Sequence, residues 1–73
     1  MPKLGVFSGE EVCQILETQG FARVRQRGSH VVMQKRSPGG CATVPVPNHK
    51  TIHISTLQAI IRQSGVSKEK FMR

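Results

Sequence analysis

The 73-residue chain has no run of apolar residues approaching the length of a membrane span, and its N-terminus lacks the apolar segment of a secretory signal. The expected setting is cytoplasmic, with no membrane partner. Cysteine is scarce: Cys13 and Cys41 are too few and too far apart for a cysteine framework, and Cys13 falls among the apolar positions of a helical pattern, where a small buried hydrophobe is expected. His49 and His53 have the H-x3-H spacing of half a zinc site, but no close Cys or His pair supplies the other half. No metal or cofactor is therefore expected, and one or both of these histidines read as solvent-facing loop residues. Acidic residues number four against eleven Lys and Arg, giving a formal net charge of +7. Three of the four, Glu10, Glu11 and Glu17, share one helical segment, so the basic surface must lie elsewhere. Such a surface favours a polyanion such as RNA or DNA, although an anionic protein would satisfy the same charge. Repeats, low-complexity tracts and linkers are absent, so residues 1–73 read as a single domain with room for one core.

What is present centres on residues 23–36. Two runs with β-type residues flank Gly28-Ser29, a pair suited to a two-residue hairpin turn because glycine takes positive φ without steric cost. The regular register opposes Arg27 to His30, Gln26 to Val31, Arg25 to Val32, Val24 to Met33 and Arg23 to Gln34. One face then gathers the arginines and His30, while Val24, Val31 and Met33 form the face meant for burial. A titratable imidazole among phosphate-binding groups points to chemistry on a nucleic acid.

Around this hairpin the order reads helix, three strands, helix. Ser8 and Glu11 have capping-box spacing, with Phe7 and Val12 at the positions of a hydrophobic staple, and Val12, Ile15 and Leu16 recur on one helical stripe. Gly20 stops that helix. Ser37-Pro38-Gly39-Gly40 is a second turn, followed by a short strand from Cys41 that ends near Val46, with Pro45 confined to an edge or a strand end because it has no N–H to donate. Ser55 and Gln58 repeat the capping logic for a second helix carrying Leu57, Ile60 and Ile61 and ending at Gly65. Phe71 is expected to fold back onto the core. The fold class is α+β, with an antiparallel sheet and both helices on one face.

The combination of Gly20-Phe21, Arg25-Gln26-Arg27-Gly28-Ser29-His30, Thr43 through Lys50, Thr56-Leu57 and Ile60 through Gly65 resembles the HicA (YcfA-like) toxin family over nearly the whole chain. Ser55 stands where many members have Gly. The resemblance implies a double-stranded-RNA-binding-domain-like α-β-β-β-α fold and the activity of an mRNA interferase, a small ribonuclease of a type II toxin–antitoxin system held inactive by a HicB-type antitoxin. It also implies that His30, the histidine of Gly28-Ser29-His30, is catalytic.

Elementary chemistry agrees with a metal-independent endoribonuclease. RNA carries its own nucleophile, the 2′-OH, and needs a base, an acid for the leaving 5′-oxygen and positive charge at the phosphate. A histidine can perform either proton transfer, though not both at once from one position. His49 is the first candidate for the second group, ahead of Lys35 and water, because its loop follows the third strand. Arg23, Arg25, Arg27, Gly28, Ser29, Lys35, Arg36 and Lys50 are the candidate mRNA-binding residues, with Lys68, Lys70 and Arg73 weaker ones. The alternative is a non-catalytic RNA-binding module of similar fold. Readers of double-stranded RNA often carry a Lys-rich helix N-terminus, whereas Ser55-Thr56-Leu57-Gln58 has no basic residue. The chain is expected to be monomeric alone and hetero-oligomeric with an antitoxin that covers the His30 face.

Overall fold

The computed structural model describes residues 5–72. Helix α1 (Gly9–Thr18) is followed by strands β1 (Ala22–Arg27), β2 (His30–Ser37) and β3 (Gly40–Pro47), helix α2 (Ile54–Ser64) and a closing 3-10 turn at Lys68–Phe71. The strands form one antiparallel sheet in the order β1-β2-β3, so the chain has an α+β fold.

Local chemistry sets the ends of α1. The Glu11 amide donates to Ser8 Oγ at 3.1 Å and the Ser8 amide to the Glu11 carboxylate at 3.0 Å, closing the capping box. At the other end the Gly20 amide donates to the Glu17 carbonyl and the Phe21 amide to the Leu16 carbonyl, with Gly20 at φ 98°. These two bonds form a Schellman motif, which needs a left-handed residue and so selects glycine.

Alternation along the strands builds one buried face. Val31 and Met33 on β2 oppose Val46 and Val44 on β3, and all four are buried. They meet Val12, Cys13 and Leu16 from α1 and Leu57 and Ile60 from α2 in one apolar cluster, which places both helices on the same side of the sheet. Phe71 closes the cluster with its ring edge-on to Phe7, the centroids 6.1 Å apart. Cys13 is buried as expected, and desolvation pushes its thiol above its ordinary value. Pro45 lies on β3, an edge strand, where its missing N–H leaves no partner unsatisfied.

The hairpin departs from the regular register. Arg27 opposes His30, Gln26 opposes Val31 and Arg25 opposes Val32, but Arg23 then opposes Met33 and Ala22 opposes Gln34. Val24 is the extra residue of a β-bulge and is 52% exposed, so its expected burial is corrected. Because a one-residue slip moves a side chain to the other face, Arg23 leaves the His30 face and turns to α1. Its guanidinium grips both Glu10 carboxylate oxygens and lies 3.3 Å from Glu17 Oε1. The hydrogen bond from Arg23 holds the Glu10 carboxyl below its ordinary value, and the two carboxylates push the guanidinium higher still.

Helix α2 begins earlier than the Ser55 cap predicts. His53 is the N-cap, its ring Nδ1 accepting from the Ser55 amide at 3.2 Å. Ser55 is thereby inside the first turn, and Gln58 is no longer at the reciprocal position. The start is set by Ile52, which is buried and donates its amide to the Phe7 carbonyl at 2.7 Å, leaving His53 as the last extended residue. Gly65, at φ 71°, ends the helix.

Candidate functional site

The β1–β2 turn places His30. Gly28 alone takes positive φ there, at 57°, the pattern of a turn whose first central residue is glycine. His30 follows as the first residue of β2, with Arg27 opposite on β1 and Pro47 opposite on β3. All three strands therefore end side by side, with neighbours about 5 Å apart.

The segment leaving β3 is tied to this end by backbone bonds. The Asn48 amide donates to the Ser29 carbonyl, and the Gly9 amide donates to the His49 carbonyl at 2.8 Å. A Cβ on Gly9 would lie 2.3 Å from the Pro47 carbonyl oxygen and 2.7 Å from Asn48 Cα. Only glycine lets α1 approach the segment that carries His49 so closely. Sequence reasoning missed this position, since a glycine just inside a helix start shows no sign of what it packs against.

Between the strand end and α2 lies a cleft of about 540 Å³ lined by His30, Pro45, Pro47, His49, Thr51, Ile52, His53, Thr56, Ala59, Ile60 and Gln63. It collects all three histidines of the chain, from β2, from the β3–α2 segment and from the cap of α2. Each is exposed, and none of the lining residues is acidic. His53 enters the cleft as a residue that the sequence marks only by its H-x3-H spacing from His49. Among the described residues no group of three His, Cys, Asp or Glu could hold a metal ion. The arrangement offers imidazoles for proton transfer and apolar walls, with no carboxylate to repel a phosphate.

The remaining candidates divide. Arg25 and Arg27 are exposed on β1 opposite Val32 and His30, and among the described residues neither has an ion-pair partner. Arg23, in contrast, is committed to Glu10 and Glu17. Lys35 and Arg36 are five and six residues along β2 from His30, about 17 and 20 Å at the rise of a strand. Lys35 also lies on the helix side, where its Cε would be 3.3 Å from a Cβ on Gly20. Neither is near the imidazole of His30, and Lys35 is out of reach as a second proton carrier. Lys50 is exposed in the segment between β3 and α2 and is not among the cleft-lining residues.

Residues 9–66 match the family described as the HicA toxin of bacterial toxin–antitoxin systems, and the chain belongs to that family. Membership implies an antitoxin partner. No curated protein matches the chain. No helix among the described residues is long and apolar enough to cross a membrane.

Proposed function

We propose that this toxin is a metal-independent endoribonuclease acting on mRNA in the cytoplasm and that the three-histidine cleft is its active site. The supporting observation is the convergence of His30, His49 and His53 in a cleft without a carboxylate, with Arg27 and Arg25 on the strand that pairs with His30 and Val32 and without an ion-pair partner among the described residues. His30 and His49 divide the proton transfers. The 2′-oxygen bonds to phosphorus as the bond from phosphorus to the 5′-oxygen breaks. One imidazole takes the 2′-OH proton and the other, protonated, gives a proton to the leaving 5′-oxygen. The products are a 2′,3′-cyclic phosphate and a 5′-hydroxyl end, and no co-reactant is consumed. Arg25 and Arg27 hold the phosphates, with Gly28 and Ser29 shaping the approach, and Lys50 tracks the backbone of the strand.

A HicB-type antitoxin silences the enzyme by covering the His30 face and offering carboxylates to Arg25 and Arg27, so association slows as salt rises. The chain alone is a monomeric, one-domain toxin. The test is cleavage of a labelled single-stranded RNA in excess EDTA by the wild type and by His30→Ala, with folding checked by circular dichroism. Cleavage by the wild type alone supports the reading. Equal binding without cleavage by either protein overturns it in favour of a non-catalytic RNA-binding module.

A further inference from the structure

The N-cap of α2 fixes more than the start of a helix. A backbone N–H can only donate, so the bond from the Ser55 amide to His53 Nδ1 requires that nitrogen to be bare. Ser55 Oγ lies 2.8 Å from the same nitrogen and can donate its hydroxyl proton there. The neutral ring must then carry its hydrogen on Nε2. Helix caps favour Ser, Thr, Asp and Asn, which reach the amide with a short side chain. The imidazole does the same work with one nitrogen and leaves a second, oriented N–H donor at the far edge of the ring. His53 is among the residues that line the cleft shared with His30 and His49.

From this geometry we propose that His53 is a substrate-contacting residue: its Nε2–H donates to a non-bridging oxygen of the scissile phosphodiester, while its Nδ1 stays committed to the cap. This rests on the His30 reading of the cleft and adds a division of labour to it. His30 and His49 perform the proton transfers, whereas His53 holds one tautomer and acts as a fixed dipole. A donor aimed at charge that grows during phosphoryl transfer acts mainly on kcat.

Capping and donation can be separated by side-chain shape. Ser and Asn can cap the helix but place no donor where Nε2 stood, so His53→Ser and His53→Asn keep the cap and lose the contact. Gln sets its amide nitrogen near the Nε2 position and is a poor cap, so His53→Gln keeps the contact and loses the cap. With labelled single-stranded RNA in EDTA, the serine and asparagine variants should melt close to the wild type and lose about a hundredfold in kcat, the lower end of what removing one such donor costs. The glutamine variant should melt lower yet cleave faster than either at a temperature where all are folded. Wild-type cleavage by a folded serine or asparagine variant overturns the inference, as does a glutamine variant no faster than they are. If His30→Ala still cleaves, the fault lies instead with the reading of the cleft.

Discussion

Arg23 and Arg27 are four residues apart on one strand and meet opposite electrostatic surroundings. At Arg23 the bulge at Val24 delivers the guanidinium to Glu10 and Glu17, so three charges are spent on holding α1 against the sheet. At Arg27 the strand ends opposite His30, near a cleft without a carboxylate, and among the described residues nothing pairs with its charge. Cations that a protein neutralises internally serve its own packing, and those it leaves unneutralised beside titratable groups mark where an anion can bind. A count of net charge cannot tell the two apart.

The sharpest test of that contrast is His30→Ala, which should lower RNA cleavage by about a hundredfold or more, the range of general acid–base catalysis, while leaving the melting temperature nearly unchanged. The exposed ring contributes no buried contact. Gly9→Ala should act on both regions at once, because its methyl group must push the Pro47–Asn48 backbone away from α1. A stability loss of roughly 1–3 kcal/mol by urea unfolding is expected, together with slower cleavage as His49 shifts. A variant as stable and as active as the wild type would show that the close approach is not needed.

Smaller effects separate the arginines. Arg27→Ala should weaken RNA binding and reduce the salt dependence of the binding constant by about one phosphate contact, a slope change near 0.7 for single strands. Arg23→Ala should leave that slope unchanged and cost at most about 1 kcal/mol of stability, as an exposed ion pair does. Binding titrations at several salt concentrations decide between them, and equal slopes for the two variants would erase the contrast.

The smallest effect is in pH. The Glu10 carboxyl is held below its ordinary 4.5 in the folded chain, so its contribution is fully present above that value and is lost as pH falls through the lower folded value. The stability difference between wild type and Glu10→Gln, measured by thermal unfolding, should be constant near neutrality and shrink in acid. A difference that grew on acidification would contradict the pairing.

Much of the fold was legible because its signals are local. The capping box at Ser8 and Glu11, the stop at Gly20 and the Gly28-Ser29 turn each depend on a few neighbouring residues whose chemistry is the same in any context. The placement of His30 beside Arg27 follows from the turn alone. Val24 misled because a β-branched residue in an alternating run reads as buried, and nothing in the run shows that α1 will offer two carboxylates to Arg23. Ser55 misled for a related reason. Two capping residues lie within three positions of each other, and the choice was made by Ile52, held by a hydrogen bond to Phe7 from the other end of the chain.

The sequence by itself determined the order of elements, the apolar faces, the hairpin turn and the excess of positive charge, since each is encoded in spacing or composition. Only the tertiary structure decided which arginine is neutralised, which residue caps α2 and which three segments meet at the cleft. Those outcomes depend on contacts between residues far apart in the chain, where a shift of one position on a strand or a single methyl group at Gly9 changes which groups face each other.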